Sequence, residues 1–158
     1  MSRNDGPGPE VSARLGYLLK HAQLRMNELS TRALASLGVN GRELAVLLVL
    51  AGDEPASQQQ AAQRLGVDRT TMVALLDTLE DKGLVSRHPH AEDRRRNVVE
   101  LTAAGQDVLE RGTRASDEAE REFLAPLDPQ TARQLRAALR TLVNQPPPRS
   151  GRAGEAVQ

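Results

Sequence analysis

The sequence lacks cysteine and tryptophan, and it holds one tyrosine, Tyr17, and one phenylalanine, Phe123. Without cysteine the chain can form no disulfide, no thiolate zinc site and no thiol-based peroxide sensor. The shortage of aromatic side chains argues against a protein that binds single-stranded nucleic acid, because such proteins stack bases on aromatic rings. Redox sensing by thiols is therefore excluded, and single-strand binding is disfavoured.

The sequence also has no excess of charge of either sign, since 21 lysines and arginines balance 21 aspartates and glutamates. Any basic surface must therefore come from the local placement of cations. There is no run of roughly 18 apolar residues and no charged-then-apolar leader, so we expect neither a membrane span nor a signal peptide. We expect a cytoplasmic protein, and its 158 residues fit one domain with a buried core.

Apolar periodicity divides the chain into a folded part and two tails. Residues 1–10 and 146–158 contain clustered prolines and no apolar periodicity, and we predict that both are disordered. Between them, apolar residues recur at helical spacing and are interrupted by capping residues and glycines. This pattern predicts six helices, which begin near Leu15, Asn40, Ser57, Asp68 and Thr102 and before Leu135.

The middle of the chain has the pattern of a helix-turn-helix followed by a hairpin. The segment Leu44–Ala51 is apolar nearly all round, which predicts a central helix with neighbours on every side. Gly66 permits a tight turn between the short third and fourth helices, as in a helix-turn-helix unit. Leu84–His88 and Asn97–Leu101 are rich in strand-forming residues and predict a hairpin with a long polar tip. The last two helices have apolar faces that this small domain cannot cover, so we expect a partner chain.

The outward face of the fourth helix is the first candidate binding surface. With Met72, Leu75, Leu76 and Leu79 pointing inward, its outer residues are small or polar: Arg69, Thr70, Thr71, Val73, Ala74, Asp77 and Thr78. A slim helix of this kind fits a DNA major groove, where arginine binds guanine or phosphate and threonine contacts bases or thymine methyl groups. An ordinary solvated helix face has the same composition, and the face alone does not decide between the two.

The predicted hairpin tip carries the densest positive cluster, Arg94, Arg95 and Arg96. A guanidinium on such a tip can enter a minor groove narrowed by A·T-rich sequence. An isolated DRRR segment is more often a solvated charged loop. In this chain, the position of the arginine cluster directly after a helix-turn-helix favours DNA binding.

The segment SQQQAAQRLGVDRTTMVALLDTLEDKGLVSRHPHAEDRRRNVVELTAAG, residues 57–105, resembles the winged helix-turn-helix of the MarR family of bacterial repressors. The most specific pieces are DKGLVSR, DRR and LTAAG, in that order and spacing, and the resemblance covers roughly residues 12–143. It implies a mainly α fold with a small β-hairpin wing, of the α+β class. It implies these bounds: a folded domain at 11–145, with the winged helix-turn-helix at 40–101 and dimerisation helices at 12–37 and 102–144.

The resemblance also implies a function and residue roles. The function is that of a homodimeric repressor that binds double-stranded DNA at a palindromic operator. The implied major-groove residues are Arg69, Thr70, Thr71, Val73, Ala74 and Thr78. Arg94 or Arg95 of the wing would enter the minor groove. The predicted contacts to the DNA backbone are Ser57, Gln58, Gln59, His88 and Arg96. Asp77 would pair with Arg87 as an internal brace rather than contact DNA.

A small-molecule pocket, often for phenolic or carboxylate compounds, is a further implication of the resemblance. The polar candidates near the expected junction with the dimer helices are Tyr17, Lys20, His21, Arg25 and Arg42. For each of them, the simpler interpretation is an ordinary surface or hydrogen-bonded residue of a helix. His21, His88 and His90 do not have the spacing of a metal site, and no cofactor is expected.

Two other classes of function compete with this interpretation. An enzyme is disfavoured, because the sequence has no glycine-rich phosphate loop, nucleophile elbow or paired carboxylates in a plausible cleft. A winged helix that serves as a protein–protein adaptor is the second alternative, since a fold does not dictate its ligand. An adaptor would not need three arginines at the wing tip.

Overall fold

The computed structural model describes residues 8–52, 57–89, 92 and 97–144, and the chain divides into two units, Met1–Phe123 and Leu124–Gln158. The elements in chain order are α1 Pro9–Ser12, α2 Leu15–Leu34 with a 3₁₀ turn at Ala35–Leu37, α3 Gly41–Leu50, α4 Gln58–Leu65, α5 Arg69–Asp81, β1 Val85–Pro89, β2 Asn97–Leu101, α6 Ala103–Leu124 and α7 Pro129–Val143. The strands form a two-stranded antiparallel sheet. This order confirms the predicted fold class, mainly helical with one small hairpin.

Side-chain caps fix the starts of the three central helices. The Asn40 side chain accepts from Glu43 N at 2.9 Å, and the Glu43 carboxylate accepts from Asn40 N at 3.0 Å. Ser57 and Gln60 make the same reciprocal pair at the start of α4. Asp68 accepts from Thr71 N at 2.8 Å and caps α5. Each cap satisfies backbone N–H groups that have no partner within the helix, so these helix starts follow from local sequence.

The core lies around α3, which packs against α2, α4, α5 and β2. Its central buried residues are Leu34, Val46, Leu47, Ala61, Met72, Leu76, Leu79 and Val99. The prediction that α3 has neighbours on every side is wrong at Leu48, which is 50% exposed. The reason is that the neighbours of α3 surround only part of its circumference, and the face that carries Leu48 is left uncovered within the chain.

Three boundaries differ from the sequence-based predictions. The N-terminal tail was predicted to reach residue 10, but α1 begins at Pro9, because proline suits the first helical position and Glu10 favours the first turn. Strand β1 begins one residue later than predicted and extends to Pro89, which pairs with Asn97. Ser57 forms an isolated antiparallel bridge with Val98. The predicted tails at 1–7 and 146–158 lie outside the described residues.

The start of α6 is fitted closely against the end of α5. The Thr102 hydroxyl donates to Gly83 O at 2.6 Å and accepts from Gly105 N at 3.0 Å, while Thr102 N donates to Leu84 O at 3.1 Å. A Cβ on Gly105 would lie 1.9 Å from the Leu84 carbonyl oxygen. The LTAAG motif therefore combines a helix cap with the close backbone approach that only glycine permits.

Several apolar side chains remain exposed on each of two helices, α2 and α7. In α2 they are Leu15, Leu18, Leu19 and Leu24. The helix α7 has no buried residue, and its exposed apolar side chains are Leu135, Leu139, Leu142 and Val143. Within the described part of the chain, no single helix has the length and apolarity of a membrane span. The consecutive segments Leu15–Leu37 and Gly41–Leu50 have that length and apolarity only when they are taken together, and a 70° bend separates them.

We expect Gly105→Ala to lower the free energy of unfolding by about 1–3 kcal/mol, since the added methyl group would overlap the Leu84 carbonyl. Urea denaturation at one fixed protein concentration measures this change. The control is Gly16→Ala in α2, where a Cβ would meet nothing within 4 Å. Alanine there should stabilise the helix by up to about 1 kcal/mol. Equal effects of the two substitutions would contradict the proposed steric role of Gly105.

Candidate nucleic-acid interface

The exposed face of α5 is narrow and mostly uncharged. Its exposed residues include Arg69, Thr70, Ala74, Asp77 and Thr78, and Met72, Leu76 and Leu79 hold the opposite face in the core. No described residue forms a hydrogen bond or an ion pair with the Arg69 side chain. A helix with this combination of small side chains and one free guanidinium can approach a groove closely and bind its edges.

Two residues predicted for this face are placed differently from the rest. Thr71 is half-buried, and its hydroxyl donates to Asp68 Oδ2 at 2.7 Å. Val73 is also half-buried. The Thr78 hydroxyl donates to Ala74 O at 2.9 Å, which leaves its methyl group and lone pairs for a partner. The predicted DNA contacts of these residues remain predictions. Arg69, Thr70 and Ala74 are better exposed for such contacts.

The wing strand is tied to α5 by an arginine between two carboxylates. Arg87 of β1 donates from Nη2 to Asp77 Oδ1, and its Nε lies 3.5 Å from Glu80 Oε2 without forming a hydrogen bond. The Arg87 side chain is only 20% exposed. The contact between Asp77 and Arg87 is thus present, whereas its role as a brace stays a prediction. Sequence reasoning missed Glu80, although a position three residues after Asp77 lies on the same side of a helix.

The predicted contacts to the DNA backbone are dispersed over α4 and the wing. Ser57 uses its hydroxyl in the α4 cap, while Gln58 is half-buried and Gln59 is exposed beside it. On β1, the His88 Nε2 lies 3.5 Å from Glu100 Oε2 of β2. Predicted residues that lie outside the described part of the chain are Arg94, Arg95 and Arg96, together with His90.

The five effector candidates lie on two helices, four of them on α2 and Arg42 on α3. The rings of Tyr17 and His21 contact each other with centroids 4.0 Å apart, and Arg25 pairs with Glu28 at 3.6 Å on the same helix. Arg42 instead lines a cleft of about 430 Å³ between α3 and the start of α5. The other lining residues are Ala45, Leu65, Gly66, Val67, Asp68, Thr71 and Leu75. Lys20 is exposed.

Comparison with known proteins assigns the family. A profile of the MarR family matches residues 37–96. The solved structure of the transcriptional repressor CouR, bound to a 23-mer DNA duplex, is 31% identical and superposes with a TM-score of 0.81, over 88% of this chain and 99% of that one. The chain belongs to the MarR family.

Two further relatives of this MarR-family chain are a ligand-bound regulator and a transcriptional repressor. CouR from Rhodococcus jostii RHA1 bound to p-coumaroyl-CoA is 25% identical, with a TM-score of 0.74, over 86% of this chain and 96% of that one. The transcriptional repressor YetL of Bacillus subtilis is 35% identical over 88 residues, which are 54% of this chain and 53% of YetL. The chain is thus a member of a family of transcriptional regulators.

We expect Arg87→Ala to lower the free energy of unfolding by roughly 1.5–3 kcal/mol. The substitution removes the hydrogen bond between the Arg87 guanidinium and the Asp77 carboxylate, and it leaves Asp77 and Glu80 without this cation. The matched control is Arg111→Ala, which removes an exposed ion pair with Asp107. That loss should cost no more than about 0.5 kcal/mol. Urea denaturation of both variants checks this. If Arg87→Ala is as stable as the control but binds DNA less well, Arg87 is a DNA contact.

Stability at low pH should depend on the cap of α5. Hydrogen bonds from the Thr71 hydroxyl, and then from Thr71 N–H, hold the pKa of Asp68 below its ordinary value of 3.8. Since the pKa is lower in the folded state, the ionised cap stabilises the protein above about pH 4. That stabilisation is lost as the pH falls through the folded-state pKa.

The variant Asp68→Asn keeps a capping oxygen but cannot titrate. We therefore expect its free energy of unfolding to fall less steeply than that of the wild-type protein below about pH 4, as measured by urea denaturation across that range. Asp128→Asn should flatten the curve in the same way, because Asp128 caps α7 with the same hydrogen bonds from Thr131 and a similarly lowered pKa. Parallel curves for Asp68→Asn and the wild-type protein would contradict the contribution of this cap.

Proposed function

We propose that this MarR-family protein is a homodimeric repressor that binds a palindromic operator in double-stranded DNA and is released by a small phenolic or carboxylate effector. The observation that carries the proposal is the slim exposed face of α5 beside a wing strand that Arg87 ties to the same helix. The proposal includes no enzymatic activity. It places the protein in the cytoplasm, where bacterial DNA is accessible.

The recognition helix of the proposal is α5. Arg69 is the first residue of α5, and its guanidinium has no partner in the part of the chain that the structure describes. It can therefore bind the O6 and N7 atoms of guanine or a phosphate. Thr70 and Ala74 lie on the same exposed side and are small enough for direct contact with thymine methyl groups. Thr71, Val73 and Thr78 complete the proposed major-groove set from its less exposed edges.

The wing supplies the second proposed contact. The antiparallel pairing of β1 and β2 ends at Pro89 and Asn97, which flank segment 90–96. That segment contains Arg94 and Arg95, for which we propose minor-groove binding. For Arg96, in the same segment, we propose a phosphate contact. We propose the same role for His88, Ser57, Gln58 and Gln59. The Arg87 contacts support this arrangement, because they hold the base of the wing to α5.

Exposed apolar surface supports the homodimer. Leu15, Leu18, Leu19 and Leu24 of α2 are about half exposed or more, and α7 has its own exposed apolar row. Exposed apolar side chains grouped on a helix in this way are typical of protein–protein contact. A two-fold dimer presents two identical recognition helices, so its operator should contain two inverted half-sites.

The proposed effector is a small phenolic or carboxylate compound. The named relative CouR binds p-coumaroyl-CoA, a compound with a phenolic acyl group. In this chain, the Tyr17–His21 ring pair offers an aromatic surface, and Arg25 and Arg42 offer cations for a carboxylate. We propose these four residues as effector ligands.

Selection of bound sequences from a random duplex pool tests the function. We expect an imperfect palindrome with half-sites centred about 10 base pairs apart, and an affinity that falls steeply with added salt. A pool without enrichment, together with a lack of salt-sensitive DNA binding, would instead favour the protein–protein adaptor.

The same selection with Arg95→Ala tests the wing. We expect the variant to lose its preference for A·T pairs at the outer positions. Its melting temperature should be almost unchanged, because the proposal gives Arg95 a contact with DNA and none within the protein. The control is Arg121→Ala, which removes an exposed cation of α6. An unchanged outer preference in Arg95→Ala would remove Arg95 from the proposed contacts.

A further inference from the structure

Lysine 82, one of two lysines in the chain, directs its ammonium group into the protein. It follows the last residue of α5 and forms the C-cap of that helix. Its Nζ lies 2.8 Å from Gly38 O, 3.0 Å from Glu43 Oε1 and 2.8 Å from Glu43 Oε2. An ammonium group has three N–H donors, so these three acceptors can satisfy it completely. We call Lys82, Glu43 and the Gly38 carbonyl the Lys82 cluster.

The carboxylate in this cluster is buried. Glu43 is 4% exposed, and its Oε2 also accepts from Asn40 N at 3.0 Å. A buried carboxylate without a cation is strongly unfavourable, because little water can solvate its charge. Lys82 therefore compensates a charge that the α3 cap brings inside the protein.

The cluster joins two parts of the chain that are far apart in sequence. Gly38 has a φ of +67° and forms the corner between α2 and α3, where a residue with a Cβ would be strained. Lys82 is 44 residues further on, at the end of α5. The α2–α3 corner is thus attached directly to the proposed recognition helix.

We propose that the Lys82 cluster is a positioning device that sets the angle of α5 relative to the α2–α3 corner, and so the register of the two recognition helices on the operator. This inference rests on the proposed function, in which α5 enters the major groove and α2 contributes to the dimer. Lys82 is then a positioning residue and not a DNA ligand.

A lysine beside a recognition helix would ordinarily be assigned to a phosphate. For Lys82 that role would require its ammonium group to leave three acceptors and to abandon a buried carboxylate. The side chain is 36% exposed, which fits a stem at the surface and a charged end turned inward. Positioning and phosphate binding predict different results on DNA, so experiment can separate them.

The test compares Lys82→Met with the double variant Lys82→Met/Glu43→Gln. The single variant leaves Glu43 buried without a cation and should melt at a lower temperature than the double variant, in which the carboxylate is also removed. Glutamine at position 43 can still accept from Asn40 N, so the α3 cap is kept. The double variant is therefore the folded protein without the attachment, and DNA binding is measured well below its melting temperature.

On the sequence selected by the wild-type protein, the double variant should bind roughly tenfold more weakly, a loss comparable to that from one mismatched base pair. Its affinity for unrelated DNA and the salt dependence of its binding should stay unchanged. The penalty for inserting one base pair between the half-sites should shrink, because a helix with a less fixed angle tolerates altered spacing. Arg121→Met, which removes an exposed cation of α6, should match the wild-type protein in all four measurements.

Two results would overturn the inference. A fall in affinity for all DNA, with a salt slope lower by about one for each protomer, would make Lys82 a phosphate ligand. An unchanged affinity and spacing penalty in the double variant would leave the cluster a role in stability alone. A wild-type protein that selects no DNA sequence would instead refute the proposed function, so the two failures are distinguishable.

Discussion

The fold depends on the attachment of residues 82–87, which follow α5, to three other parts of the chain. The Lys82 ammonium reaches the α2–α3 corner at Gly38 and Glu43. Directly after it, the Gly83 and Leu84 carbonyls accept hydrogen bonds from Thr102 at the start of α6. Arg87 then returns from β1 to the acidic side of α5. Six consecutive residues therefore hold α5, the proposed recognition helix, against the elements around it, and the motif DKGLVSR is conspicuous because nearly every position has a partner elsewhere.

Sequence reasoning predicted the parts of this arrangement that are local. The caps at Asn40, Ser57, Asp68 and Thr102 each need only residues within three positions, and the structure has all four. It failed where the partner is distant. The exposure of Leu48 depends on which elements surround α3. The bridge between Ser57 and Val98 is one residue long and has no periodicity to reveal it, and the burial of the Glu43 carboxylate depends on Lys82, 39 residues away.

The same distinction applies to the candidate site. The helical period of α5 placed Arg69, Thr70 and Ala74 on the exposed face, as found. It could not separate them from Thr71 and Val73, because residues at the flank of a helical stripe are exposed or covered according to the neighbouring element. Thr71 itself lines the cleft beside Arg42. The pairing of Arg87 with Asp77 came from the family resemblance, since no periodicity distinguishes an arginine that binds DNA from one that binds a carboxylate.

Charge near the proposed DNA surface is divided between structure and binding. Lys82 and Arg87 are close to three carboxylates, Glu43, Asp77 and Glu80, so these five groups together contribute no net positive charge. Arg69, without a partner among the described residues, is different, because its charge is available to a phosphate or a base. In a chain with a formal net charge of zero, attraction to DNA then depends on which cations have no carboxylate beside them. A count of basic residues would overestimate that attraction, since Lys82 and Arg87 have carboxylates beside them.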